Sequence, residues 1–504
     1  MGLAILASRA QVGVEAPPVT IEVFLSGGVP RFNIVGLAET AVRESKDRVF
    51  GAIKSSGFKF PQQRITANLG PADMRKTGGR FDLPIALGIL AASGQITSQG
   101  IGDYEYFGEL ALNGAVRPVP GVLPAAIKAA REGKPIIVPN ENAGEAVLAG
   151  GRVLMTASLL ETTAQLTGHE ALTPARRGDV GAAIRSGPDM ADVRGQSLAR
   201  RALEIAAAGG HNILLMGPPG TGKSMLAQRL PGLLPAMDET AAMETAAVNS
   251  VLGVPPDPTT LGIRPFRAPH HTASAIALVG GGADPRPGEI SRANHGVLFL
   301  DELPEFSRHV LEVLREPMES GRVSISRAAG QADFPARFQL VAAMNPCPCG
   351  YLGDPGGACH CSDDAVRRYR GRISGPLLDR IDIKVEVGRP PISALRPDAP
   401  TGESTADIAR RVQAARTRQT DRAGKPNAWL TSRELGELYR RVNSVTDMLE
   451  EAATKLSLSA RGYQRVQRIA RTIADLNGDA EVNRLSVAEA LALWQPQSAR
   501  RNGY

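Results

Sequence analysis

The chain has 504 residues and a mass of 53.1 kDa, with 43% hydrophobic and 22% charged residues, enough for roughly three domains and too apolar for wholesale disorder. A formal net charge of +7 and a pI of about 9.4 suit a polyanionic partner without identifying one, while 4% aromatics are too sparse to mark a single-strand stacking platform. No apolar run approaches the ~18 residues of a bilayer span, and the opening MGLAILASRA lacks a basic region ahead of its short apolar stretch, so we expect a cytoplasmic protein without a membrane segment.

Residues 1–171 mix β-rich runs at 19–25 and 64–69 with a helical pattern over 40–56, which predicts one α+β domain. Residues 172–188, rich in Gly, Pro and charge, read as a linker. From 189 to 388 apolar strand-like runs alternate with helical segments, as in a parallel sheet covered by helices. A proline-rich linker follows at 389–403. The remainder, 404–504, reads as helices over 405–419, 432–442, 444–456, 459–476 and 486–493, several opening on a Ser or Thr cap.

Residues 213–216 form a short apolar strand running into Gly217-Pro218-Pro219-Gly220-Thr221-Gly222-Lys223-Ser224, with a helix opening at Met225. This is a phosphate-binding loop in its strand–loop–helix setting. Its glycines let backbone N–H groups turn inward around phosphate oxygens, Lys223 neutralises β/γ charge, and the Ser224 hydroxyl is placed to hold Mg²⁺. A second apolar strand, 297–300, ends in Asp301-Glu302. We expect Asp301 in the Mg²⁺ shell and Glu302 polarising the attacking water, because phosphoryl transfer demands positioning and charge neutralisation. A third strand, 338–344, ends at Asn345, whose amide can orient that water, although an Asn closing a strand is also a common turn former. Arg380, in LLDRID, follows a helix and precedes a strand, where it can reach a neighbouring subunit's γ-phosphate; that role requires an oligomer. Arg461, Arg465, Arg468 and Arg471 recur along one helix as a single basic face, read either as solvated or, at Arg461, as nucleotide-sensing. Arg410, Arg411, Arg416 and Arg418, on the helix after the second linker, read as a solvated face, with DNA contact the alternative.

All four cysteines fall in two C-x-C pairs, Cys347/Cys349 and Cys359/Cys361, separated by a glycine-rich turn within an insert at 346–375. Four thiolates folded back on each other predict a closed tetrahedral Zn²⁺ shell; His360 as a substitute ligand, or unliganded thiols, are the alternatives. The basic run Arg367, Arg368, Arg370 and Arg372 that follows can touch a phosphate backbone. His270-His271 read as a structural or pore-facing loop, and Trp429 as packing.

The whole chain resembles the ComM/YifB-type proteins, the magnesium-chelatase-like branch of the AAA+ ATPases. The resemblance rests on RALEIAAAGGHNILLMGPPGTGKS, FRAPHHTAS, GEISRANHGVLFLDELPEF, AMNPCPCG, SGPLLDRID and LSARGYQRVQRIARTIADL. It implies Walker A at Gly217 to Met225, Walker B at Asp301 and Glu302, sensor 1 at Asn345, a trans-acting finger at Arg380, sensor 2 at Arg461 and a C-terminal helical lid. It implies ATP and Mg²⁺ as cofactors, supports Zn²⁺, and points to a homo-oligomeric, hexameric ring. The expected partner is single-stranded and branched DNA, and the expected activity is helicase or branch migration in recombination during natural transformation. A chelatase-type motor for metal insertion into a tetrapyrrole and an ATP-dependent protease or unfoldase are the rivals. Lys76-Thr-Gly-Gly-Arg80-Phe-Asp82 is similar to Lon-type protease domains near their catalytic serine. Here Arg80 stands at that position, and a serine–lysine protease needs the hydroxyl, so a non-proteolytic Lon-like domain is implied.

Overall fold

The computed structural model of the chain describes residues 2–36, 40–178, 187–257, 260–282, 285–327, 330–355, 359–396, 398, 400–440 and 443–494. In the N-terminal region β1 (Gly2–Arg9) and β2 (Pro18–Ser26) pair antiparallel along their whole length. Alternation fixes that register: Ala4, Leu6, Val19, Ile21, Val23 and Leu25 all turn to the buried side. With β3 (Arg31–Val35), β4 (Arg64–Gly70), β5 (Glu105–Tyr106), β8 (Ile136–Pro139) and β9 (Val153–Thr156) these two strands build a mixed seven-stranded sheet ordered β3-β4-β2-β1-β5-β8-β9, while β6 (Glu109–Leu110) and β7 (Val116–Arg117) form a separate small hairpin. The most apolar stretch of the chain, helix Asp82–Ala92, lies buried against this sheet. Gly88 permits the close approach, since a Cβ there would sit 2.5 Å from Val23 Cγ2. Residues 173 and 175, expected in a linker, hydrogen-bond to Met155 and Val153 and so lie along β9.

The central region contributes β10 (Ile213–Met216), β11 (Phe266–Arg267), the hairpin β12 (Gly280–Gly281) and β13 (Arg286–Pro287), β14 (Val297–Leu300), a second hairpin β15 (Arg322–Arg327) and β16 (Gly330–Pro335), β17 (Gln339–Met344) and β18 (Ile383–Glu386). Five of these form a parallel sheet ordered β11-β14-β17-β10-β18. Its strands are nearly continuous buried runs because both faces are covered. Ile213 and Leu215 face one core with helices Ser197–Gly209 and Lys223–Leu233, whereas Leu214 faces the opposite core with Leu298, Leu300 and Leu340.

The C-terminal region is helical, over Thr405–Ala423, Ser432–Tyr439, Asn443–Lys455, Ala460–Asn477 and Arg484–Trp494. Side chains of Ser404, Thr431 and Ser459 cap three of these helices. Ile408, Val412, Val466 and Ile469 share the core of Ile213 and Leu215, so the helices pack directly on one face of the parallel sheet.

That packing corrects the reading of the first arginine run and of part of the second. Arg465 and Arg471 are each only 3% exposed, and Arg471 pairs with Asp475 at 2.8 Å. Arg468 donates to the Leu430 carbonyl; of the four, Arg461 alone is exposed. Arg416 donates to the Ala207 and Ala208 carbonyls, at the end of helix Ser197–Gly209 where the last carbonyls lack intrahelical partners. Arg411 binds Glu204 at 2.6 Å. Arg411 and Arg416 thus tie helix Thr405–Ala423 to the sheet-covering helix, and Arg465, Arg468 and Arg471 turn inward, whereas Arg410 and Arg418 are exposed.

No helix among the described residues is long and apolar enough to cross a membrane.

Candidate functional site

The phosphate-binding loop leaves the central strand β10 where the sheet ends. Gly217 N–H donates to Met344 O at 3.2 Å, so the loop starts against the tip of β17. A Cβ at Gly217 would lie 2.1 Å from Val387 O. Gly220 and Gly222 have φ of 76° and 88°, the left-handed region in which glycine is unstrained, and Gly222 caps the helix Lys223–Leu233. Thr221 Oγ1 closes the turn onto Pro218 O at 2.9 Å.

Lys223 is buried, and its Nζ donates to Gly217 O at 2.7 Å, Pro218 O at 2.8 Å and Asn345 Oδ1 at 3.1 Å. Burial holds this ammonium below its usual value, against the opposing pull of Asp301 and Glu302. Ser224 Oγ donates to Asp301 Oδ2 at 2.6 Å, and Asp301 Oδ1 accepts the Glu302 N–H at 2.9 Å. Lys223, Ser224, Asp301, Glu302 and Asn345 therefore converge, although they come from three separate strand ends. The hydroxyl–carboxylate pair is the hard-oxygen donor set that Mg²⁺ takes, and the curled lysine with its inward loop fits a polyphosphate. Met225, at the first turn of the helix, is 47% exposed.

Glu302 has φ of 52°, a left-handed conformation that is uncommon for a side-chain-bearing residue. Its Oε2 lies 3.2 Å from His271 Nδ1, and the His270 ring lies against that of His271, tilted by 33° with centroids 4.1 Å apart. Sequence reading placed these histidines in a structural or pore-facing loop; the fold sets His271 against the carboxylate. Gln196, also left-handed, reaches Thr221 O at 3.4 Å, a contact that no local motif in the sequence marks.

Arg380 pairs with Glu319 of helix Arg315–Ser320 and donates to Pro376 O at 2.7 Å. Arg461 is exposed on the first turn of helix Ala460–Asn477. Among the described residues neither has a partner on the phosphate-binding loop.

The cysteine sulfurs converge directly beyond Asn345. Cys347 Sγ lies 3.4 Å from Cys349 Sγ and 3.7 Å from Cys359 Sγ, and all four sulfurs fall within 4.8 Å of one another. A tetrahedron of Zn–S bonds of ~2.3 Å has sulfur edges of ~3.8 Å, so the cluster fits zinc, with Cys361 as the fourth ligand. His360 is not among the converging groups; the backbone N–H of Tyr351, joined by that of His360, pulls the Cys349 thiol down to about 6. Gly350 leans on the phosphate-binding loop, since a Cβ there would sit 2.7 Å from Pro219 Cδ. In the following basic run Arg367, Arg368 and Arg372 are all exposed, Arg367 pairing with Asp364 and Arg372 with Glu305, while Arg370 donates to Pro346 O.

In the N-terminal region Arg80 is buried, donating to Gln11 Oε1 at 2.7 Å and to Pro120 O. Lys76 is buried too and donates to Pro71 O. A buried, hydrogen-bonded guanidinium thus occupies the position that the Lon-type resemblance gives to a catalytic serine.

Three family profiles match the chain: Subunit ChlI of Mg-chelatase over residues 21–142, Magnesium chelatase, subunit ChlI over 189–395, and Magnesium chelatase, subunit ChlI C-terminal over 402–493. The chain is 48% identical over 496 residues to the competence protein ComM of Haemophilus influenzae, covering 97% of each. It is 47% identical over 494 residues to YifB of Escherichia coli, covering 98% of this chain and 97% of YifB. It is 26% identical over 304 residues to the magnesium-chelatase 38 kDa subunit of Rhodobacter capsulatus, 54% of this chain and 76% of that subunit.

Proposed function

Because the chain belongs to the ComM/YifB-type, magnesium-chelatase-like family, we propose that it is an ATP-hydrolysing ring motor that moves on branched or single-stranded DNA. The observation that carries the ATPase reading is the convergence of Lys223, Ser224, Asp301, Glu302 and Asn345 at the ends of β10, β14 and β17. The DNA reading is supported by near full-length similarity to a protein named for competence and by the net charge of +7.

In this reading Lys223 leaves its loop carbonyls for the β/γ-phosphates, and the glycine-rich loop presents its N–H groups to the same oxygens. Ser224 and Asp301 would hold Mg²⁺, which would offset phosphate charge during transfer. Glu302 accepts a proton from the attacking water, oriented by the Asn345 amide; His271 steadies the glutamate. Arg380 acts in the neighbouring subunit's site and Arg461 senses the nucleotide, which makes assembly, with six subunits as the expected number, a condition of turnover. Cys347, Cys349, Cys359 and Cys361 would hold a structural Zn²⁺ and so rigidify the insert beside the nucleotide loop, on which Arg368 is exposed. The Lon-like N-terminal domain assembles or binds DNA without proteolysis, residues 189–388 form the motor core, and 404–504 form its lid.

Purified chain with ATP and a four-way or forked DNA is expected to migrate or unwind the junction, and Glu302→Gln to bind nucleotide while hydrolysis drops by ~100-fold or more. ATP turnover indifferent to any DNA, with no strand exchange, removes the DNA reading. It would then favour a chelatase-type motor, the reading that similarity to the 38 kDa magnesium-chelatase subunit supports.

A further inference from the structure

We infer that Arg465 is a positioning residue for Arg380, so that the C-terminal helix of one subunit sets the arginine supplied to its neighbour's ATP. This inference rests on the proposed trans role of Arg380.

Arg465 projects from helix Ala460–Asn477 and is almost fully buried. Its nearest acceptors are Asp379 Oδ1, 3.5 Å from Nη2, and Ile381 O, 3.5 Å from Nη1. These are the residues on either side of Arg380. Nη2 has no hydrogen-bond partner among the described residues, so its contact with Asp379 is a loose ion pair, not a tight bond. An apolar side chain of similar size would fill the space without the desolvation cost of a buried cation. Packing alone therefore does not account for a guanidinium here, whereas fixing both flanks of the loop does.

The rest of that loop is tied down in the same way. Thr472 Oγ1, two turns further along the same helix, meets His211 Nε2 at 2.8 Å, and His211 Nδ1 faces Asp382 Oδ2 at 3.6 Å. Asn212 donates to Arg380 O at 2.9 Å, and its N–H to Asp382 Oδ2 at 3.2 Å. Residues 379–382 are thus held between the C-terminal helix and the start of β10, the strand that ends in the subunit's own phosphate-binding loop. Arg461 lies one turn before Arg465 on that helix. A movement of the helix sensed at Arg461 reaches Arg380 through Arg465 with no flexible segment between them.

The test uses the full chain and ATPase kinetics on Arg465→Gln, Arg465→Lys, Asp379→Asn and Arg380→Ala, each alone and each mixed with Lys223→Ala chains before ATP is added. Arg465→Gln is expected to lower kcat by roughly ten-fold or more with KM for ATP changed less than about two-fold, and Arg465→Lys to recover part of that loss. Because the defect lies in what is given to the neighbour, mixing with Lys223→Ala chains, whose Arg380 is intact, is expected to restore turnover. Asp379→Asn breaks the same contact from its half-exposed side and is expected to behave alike, so a folding failure of Arg465→Gln leaves the test standing. If Arg380→Ala recovers on mixing while Arg465→Gln and Asp379→Asn do not, or if those two raise KM instead, Arg465 serves its own site or the fold, and the inference is overturned. If Arg380→Ala itself fails to recover, the trans role falls first and takes the inference with it.

Discussion

Gly217 illustrates how narrowly single positions are constrained at the nucleotide loop. It is the first residue beyond β10, and its N–H is bound to Met344 O while Val387 O crosses where a side chain would begin. An alanine Cβ would meet that oxygen at 2.1 Å, and backbone on both sides must move to admit it. Gly220, by contrast, has open space around its would-be Cβ but needs a left-handed φ of 76°. Gly217→Ala is expected to cost about 1–3 kcal/mol in denaturant unfolding and to shift the loop. Gly220→Ala is expected to cost about 1–2 kcal/mol, from backbone strain alone. Nucleotide binding by isothermal titration should fall further in Gly217→Ala. Equal stabilities and affinities for the two variants would count against a steric origin. Both glycines were legible in the sequence because the motif is local. The contact of His271 with Glu302 was not, because it joins the segment after β11 to the end of β14, and neither segment carries a mark of the other.

Helices and the cysteine loop separate what a pattern conveys from what it omits. The C-terminal helices were legible from their periodicity and caps, with observed ends within a few residues of those expected. Which way their arginines point was not, because a run at helical spacing defines a face without saying what that face meets. Arg416 turned inward because the end of helix Ser197–Gly209 lacks donors for its carbonyls, and Arg471 because Asp475 is buried beside it. The cysteine loop was more legible, since four like ligands on a short glycine-rich turn have few ways to avoid each other. Cys347 is its buried anchor, two residues past Asn345 and within reach of two other sulfurs. Metal analysis of the purified chain should find close to one zinc per chain, and Cys347→Ser should lower that content and melt earlier by about 2–5 kcal/mol of lost stability. A wild-type content far below one, with Cys347→Ser equally stable, would remove zinc from the account.

At the scale of the whole molecule, the order of the parallel sheet was beyond sequence reasoning, because β10 pairs with β17 and β18 across more than a hundred intervening residues that carry no register information. The junction between the N-terminal sheet region and the central core was equally hidden. There Gly121 N–H donates to Ser250 O at 2.8 Å and Leu123 N–H to Ser250 Oγ at 3.2 Å, while Leu123 and Leu148 pack with Ala246. Glu145 is buried beside this seam. Asn142 Nδ2 donates to its Oε1 at 2.7 Å; its Oε2 makes no well-formed hydrogen bond among the described residues, and the nearby Ser250 hydroxyl, Leu123 N–H and Arg80 offset its burial only in part. Burial therefore raises its carboxyl above the ordinary 4.5. A carboxyl raised in the folded state contributes stability that is fully present below about 4.5 and is lost as pH climbs through the raised value. Near neutrality Glu145 consequently weakens the seam. Glu145→Gln keeps the shape and an acceptor for Asn142 while removing the charge. Thermal melts of the two proteins are expected to coincide near pH 4.5 and to separate with rising pH, the glutamine variant melting later by pH 8. A variant that melts earlier at pH 8, or a difference that does not grow with pH, would mean that the ionised carboxylate is satisfied in the folded chain and that the seam does not depend on its protonation.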